Sequence, residues 1–156
     1  MDKVIHSIVL SVLPIAELRG GIPYAVASDI SLPLAFLICV LSNMVVIPVV
    51  FLFLDTIHHQ LYKIKLYRRF FDRMVVRTRK KAEKNVGKWG YWGVMLFVAI
   101  PLPVTGAYTG TLAAWILKLD KLKSFWFLAL GVVIAGVIVS VATLTGIGLF
   151  RIFLKN

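Results

Sequence analysis

An acid and a base, Glu17 and Arg19, stand in an otherwise apolar stretch, with Gly20 and Gly21 behind them and Pro14 and Pro23 on either side. Ionisable side chains within hydrocarbon are expensive and persist where they face a cavity or a partner. Two readings follow. In one, the two charges neutralise each other or cap a broken helix. In the other they do separate jobs. Arg19, with the backbone N–H groups of Gly20 and Gly21, would hold an anionic head group, because guanidinium matches phosphate in a bidentate fork. Half-helix N-termini would add positive field. Glu17, a carboxyl in a low-dielectric setting, would load and release a proton and so couple transport to a proton gradient.

A second interruption runs Pro101-Leu102-Pro103-Val104-Thr105-Gly106-Ala107-Tyr108-Thr109-Gly110. Pro101 and Pro103 forbid a continuous helix and release backbone carbonyls. Thr105, Tyr108 and Thr109 offer neutral hydrogen bonds. Asn43, mid-way along an uncharged run, reads first as a hydrogen bond to another helix and second as a substrate contact. The candidate site is therefore Glu17, Arg19, Gly20, Gly21, Pro23, Asn43, Pro101, Pro103, Thr105, Gly106, Tyr108 and Thr109. No nucleophile–base pair or metal cluster lies within the apolar segments, so neither an enzyme nor a cofactor is expected. Asp55, His58 and His59 share a helical face, but polar residues closing a helix at an interface explain them better than a metal.

The elements that position these residues follow from composition. Sixty per cent of the 156 residues are hydrophobic. A soluble domain of this size cannot hide that much apolar surface, so the chain is expected to be an all-α integral membrane protein. Val4 to Leu13 is half a bilayer span, ended by Pro14, and residues 1–31 read as a re-entrant hairpin. Irregular backbone at membrane depth is tolerated only where protein or a wet cavity covers it. Residues 32–57 read as a spanning helix carrying Ser42, Asn43 and Pro48. Residues 89–119 repeat the hairpin and 124–150 repeat the spanning helix, so the whole chain is one membrane domain. The Ala25-Val26-Ala27 triplet mimics a signal-peptide cleavage site, but Glu17, Arg19 and two glycines separate it from the apolar run. The lone Cys39 is a small packing residue.

Between the halves, eleven of the eighteen Lys and Arg fall between Lys63 and Lys88. Leu66, Tyr67, Phe70, Phe71, Met74 and Val75 recur there at helical steps. Residues 62–88 thus read as a basic amphipathic helix on an anionic membrane surface, not as a nucleic-acid site, since no recognition motif accompanies the charge. Positive residues collect on the cytoplasmic side. Placing this segment with Lys118, Lys121 and Lys123 inside leaves Lys3, Arg151 and Lys155 outside. Each half carries one long helix, so the second half must be inverted. Inverted repeats with broken helices meeting near the midplane are a transporter plan. Covering the polar breaks of so thin a bundle calls for a second subunit, a homo-oligomer such as a dimer.

Glu17-Leu18-Arg19-Gly20-Gly21-Ile22-Pro23, with the segment Pro101 to Gly110, resembles the small multidrug export family, itself similar to the wider DedA group of membrane proteins. The likeness covers nearly the whole chain. It implies two re-entrant hairpins, each followed by a spanning helix, in a multi-pass protein of the plasma or inner membrane. It also implies proton-linked transport or lipid translocation; undecaprenyl phosphate is the carrier lipid of DedA-type relatives. Glu17 matches that group's membrane acid, and Pro101 and Pro103 match its second hairpin. DedA proteins carry further arginines in and after that hairpin, and here it has none, which leaves a phosphate to Arg19 alone. Three function classes remain: a transporter or lipid translocase coupled to protons or another ion, a small-molecule/multidrug proton antiporter, and a non-transporting scaffold.

Overall fold

The computed structural model describes residues 2–57, 62–65, 68, 69, 71–73, 75, 76, 89–101 and 105–154, with side chains as far as residue 146. The described elements are helical: α1 (Asp2–Val12), α2 (Glu17–Ala27), α3 (Leu32–Thr56), α4 (Gly90–Ala99), α5 (Ala107–Ile116) and α6 (Lys121–Leu154). No strand occurs among the described residues.

Their lengths sort them. At 1.5 Å per residue, α1, α2, α4 and α5 each extend about 15–17 Å, half of a hydrocarbon core, whereas α3 at about 37 Å exceeds it. Two helices, Leu32–Thr56 and Lys121–Gly146 within α6, are long and apolar enough to cross a membrane. Their surroundings separate them from the core helices of a soluble protein. Leu34, Leu37, Leu41, Val45, Val49 and Leu52 recur at three- and four-residue steps along α3, and all are exposed, Leu52 at 65%. A continuous exposed aliphatic stripe of this length fits a helix that faces lipid or a neighbouring helix.

The residues group into two compact units, Met1–Asn43 with Val133–Asn156, and Met44–Val132. In the first, α1 packs on α2. Pro14 ends α1, because it has no N–H for the Leu10 carbonyl and disfavours helix at Leu13. The turn at 13–16 is short, and α2 then runs through Gly20, Gly21 and Pro23. The interruption is thus narrower than the sequence suggests: the Glu-Leu-Arg-Gly-Gly-Ile-Pro motif is helical. Farther along, Gly136 lets α6 approach α3, where an added Cβ would lie 2.8 Å from Val40 and 2.9 Å from Phe36.

In the second unit, α4 packs on α5. Gly131 of α6 is so close to α4 that a Cβ would come within 2.7 Å of the Met95 carbonyl oxygen. Leu54, Phe71 and Leu112 form a buried cluster, with Tyr62, Val75 and Trp115 packed around it. At Phe71, therefore, the apolar side of the basic segment is covered by protein. Arg68, Arg69 and Arg73 are exposed. Leu66, Tyr67, Phe70 and Met74, and residues 77–88, lie outside the described residues.

The two halves repeat in backbone detail. Both hairpins close with a residue in left-handed conformation, Asp29 (φ 67) and Lys118 (φ 52). Asp29 donates to the Val26 carbonyl and Ile30 to that of Ala25; Lys118 donates to Trp115 and Leu119 to Ala114. Each is a complete Schellman turn, which satisfies carbonyls that a helix end leaves without donors. The long helix follows at once, behind Ser31 in one half and Asp120 in the other. Asp120 caps α6, its Oδ1 accepting from the Lys123 N–H at 2.9 Å. One constant offset relates Asp29 to Lys118, Ser31 to Asp120, Gly21 to Gly110 and Cys39 to Leu128. A shorter one relates Ser11 to Val98 and Pro14 to Pro101, because the second break is longer.

Candidate functional site

Glu17 opens α2 with a left-handed backbone (φ 46), a conformation that costs a non-glycine residue on the order of 1–3 kcal/mol unless its surroundings enforce it. Its N–H donates to the Leu13 carbonyl at 3.0 Å, which ties the acid to the end of α1. The residue is 7% exposed. A carboxyl-bearing side chain is thus held in the interior, at the point where the helix pair reverses. Arg19, two residues on, is half-buried. Both residues make polar or electrostatic interactions in the fold.

The glycines have other work than holding an anion. The Gly20 N–H donates to the Ala16 carbonyl at 3.0 Å and is spent in the first turn of α2. Gly21 lies inside the helix, where an added Cβ would collide with Ser11 Oγ and come within 3.2 Å of Cys39 Sγ. The anion cradle expected from these two N–H groups therefore gives way to a packing seat, in which α2 rests on α1 and α3. Pro23 cannot donate to the Arg19 carbonyl, so the ladder of α2 is interrupted one turn after Arg19.

Asn43 makes the expected bond between helices. Its Nδ2 donates to the Ser11 carbonyl at 2.8 Å, and the residue is 1% exposed. The Pro14 break leaves the last carbonyls of α1 without helical donors, and Asn43 supplies one from α3. Two residues that sequence reasoning passed over complete this face. Ser7 Oγ donates to the Lys3 carbonyl and Ser11 Oγ to that of Ser7, each at 2.8 Å. The steps of four through Lys3, Ser7 and Ser11 were the signal available. At the mouth of the hairpin, Lys3 and Asp29 pair at 3.4 Å.

The second break is built differently. Thr105 Oγ1 donates to the Ile100 carbonyl at 2.7 Å, across the break. Gly106 precedes α5 and accepts from the Gly110 N–H at 2.8 Å and from Thr109 Oγ1 at 3.4 Å. Tyr108 and Pro101 are half-buried, while Pro103 lies outside the described residues. A Cβ on Gly110 would strike Val98 and meet Leu128 at 2.8 Å. The two breaks belong to different units, so the fold gathers Glu17, Arg19, Gly20, Gly21, Pro23 and Asn43 in one, and Pro101, Thr105, Gly106, Tyr108 and Thr109 in the other.

Asp55 accepts from Trp115 Nε1 at 3.2 Å and forms an ion pair with Lys121. His58 and His59 lie outside the described residues. Beside this pair the second unit contains a cavity of about 600 Å³, walled by Tyr62, Phe71 and Trp115 and bordered by Asp72, Lys118 and Lys121.

Residues 17–138 match the model of a family described as "Putative small multi-drug export protein". No curated protein and no solved structure matches the chain. The matched span begins at Glu17, just past the first break, and takes in the second break, all of α3 and more than half of α6, and with it every candidate residue named above. An all-helical fold with two bilayer-length helices is the setting that an export protein needs, and on the extent of the match this chain belongs to the small multi-drug export family.

Proposed function

We propose that this chain is a proton-linked membrane transporter in which Glu17 carries the proton and Arg19 the negative end of an anionic lipid such as a polyprenyl phosphate. The observation that carries the reading is the acid itself: Glu17 is 7% exposed at a strained helix start, two residues from a half-buried arginine. Strain of this kind collects where a fold over-determines a position that has work to do. In this reading α1–α2 and α4–α5 are re-entrant, the halves are inverted relative to one another, and the basic segment faces the cytoplasm. A second copy of the chain covers the polar breaks. The family description favours a second reading, proton antiport of small organic compounds, with Glu17 shared between proton and substrate.

The test is flux in proteoliposomes carrying a pH gradient, with polyprenyl phosphate and a lipophilic cation as rival substrates. Gradient-dependent movement of the lipid phosphate, abolished by Glu17→Gln and weakened by Arg19→Ala, supports the first reading. Gradient-dependent movement of the cation alone transfers the role to antiport. Full gradient-dependent activity in Glu17→Gln removes the acid from both.

A further inference from the structure

No residue of either break lines the cavity in the second unit, and its walls and rim differ in kind. The walls are apolar, with aromatic rings set among Val75, Ile116 and Leu119. Phe71 meets Tyr62 edge-on with centroids 6.4 Å apart, and meets Trp115 the same way at 6.5 Å. Tyr62 is fixed by its hydroxyl, which donates to Asp72 Oδ1 at 2.8 Å, and by the Arg68 guanidinium 5.2 Å from its ring centroid. The volume, about 600 Å³, falls among those of small-molecule sites, which are apolar with a few placed polar groups.

The rim charges can be accounted for one by one. Asp72 faces Arg68 at 3.8 Å, and Lys121 pairs with Asp55. Lys118 remains. Among the described residues it has no ion pair, and its left-handed backbone in the Schellman turn fixes where the side chain departs. The repeat explains why it is left over. Its equivalent in the first half is Asp29, which Lys3 neutralises across the mouth of the hairpin. Where the first half has Lys3, the second has Gly90, which has no side chain to answer Lys118. The position that closes one hairpin with an ion pair thus presents an uncompensated ammonium beside an aromatic cavity in the other.

We infer that this cavity binds an amphiphilic anion, its phosphate, sulfate or carboxylate head on Lys118 and its apolar tail among Tyr62, Phe71 and Trp115. Charge complementarity selects the sign, since the acids at the rim are already matched. The aromatic walls select a tail over a bare ion. The inference is independent of Glu17 and Arg19.

Decyl phosphate titrated into the purified protein in phosphatidylcholine nanodiscs, followed by Trp115 emission with Trp115→Phe as the blank, tests it. The expected result is saturable binding, weakened about tenfold by Lys118→Asn, a residue that tolerates the left-handed backbone, and restored by Lys118→Arg. Lys123→Gln should leave the affinity unchanged. Competition by phosphatidic acid in the disc would assign the head group to the bilayer, and its failure to compete to a free amphiphile; both uphold the site. Equal binding of decyltrimethylammonium, equal binding of inorganic phosphate, or wild-type affinity in Lys118→Asn overturns it. Loss of binding in Arg19→Gln alone also overturns it, and moves the anion to the first break.

Discussion

The two hairpins share a backbone plan and differ in what fills it. Gly21 of the first rests on Ser11 and Cys39, and Gly110 of the second on Val98 and Leu128, at equivalent places. Asn43, which caps α1 through the Ser11 carbonyl, has Val132 as its counterpart. Glu17 and Arg19 correspond to Gly106 and Tyr108. The same seat is thus lined by hydroxyl, thiol and amide in one half and by aliphatic groups in the other. One plan can be stabilised either way. Apolar packing is the less demanding solution, because each buried polar group needs a partner. The half that keeps the polar set is the half that holds the acid, and the proposed proton site rests on that contrast.

The largest effect that would break this contrast is on activity. Glu17→Gln should remove the proton dependence of transport, with at least a tenfold fall in gradient-driven flux, since the amide cannot carry the proton. In the second half, Tyr108→Phe, at the counterpart of Arg19, should alter flux less than about threefold under the same assay, an order-of-magnitude estimate for the loss of a neutral hydroxyl. A reversed ranking would put the chemistry in the second hairpin.

Packing should follow next. Gly110→Ala forces a methyl against Val98 and Leu128, and thermal unfolding followed by helical circular dichroism should show a loss of about 1–3 kcal/mol. Gly21→Ala should cost a similar amount, because its Cβ meets Ser11. The sharper test is rescue. Val98→Ala should relieve Gly110→Ala, and Ser11→Gly should relieve Gly21→Ala, each pair recovering more than the single changes predict. Additive losses would mean that the two seats are not the shared core of the repeat.

Much of this plan was legible from residue order, for reasons that individual residues make plain. Pro14 and Pro101 interrupt helices wherever they fall, and an uncharged run such as Leu32 to Leu54 has few fates other than a spanning helix. The bond from Asn43 to another helix was foreseeable because an amide in hydrocarbon must find a partner. The extent of the breaks was not. Gly20, Gly21 and Pro23 look like loop residues, yet α2 passes through all three. The glycines are there for close approach to Ser11 and Ala16, a three-dimensional requirement that local propensity does not encode. The aromatic cavity was also hidden. Phe71 reads as part of a surface helix, and only the fold brings it to Trp115.

Asn43→Ala should be worth about 1–2 kcal/mol, measured by the same unfolding assay. The cost comes less from the lost bond than from the Ser11 carbonyl left without a donor in an apolar setting. The reciprocal change, Val132→Asn, should also destabilise, because an amide there replaces an apolar residue that is 1% exposed. Equal tolerance at both positions would show that the polar set is incidental to the first half.

The smallest effect separates backbone from side chain at the same seat. Ser11→Ala removes a hydroxyl that donates to the Ser7 carbonyl, an acceptor that the helix ladder of α1 already serves. The Ser11 carbonyl still receives Asn43, and the seat under Gly21 gains a little room. Stability should therefore change by less than about 1 kcal/mol, since the hydroxyl's further hydrogen bond, with the Cys39 thiol, is a weak one. A larger loss, or a fall in gradient-driven flux at unchanged stability, would show that the hydroxyl itself is used. The polar lining of the first hairpin would then extend the site from Glu17 down the face of α1, and the contrast between the halves would rest on side chains that the second half, with Val98 in that place, has no means to replace.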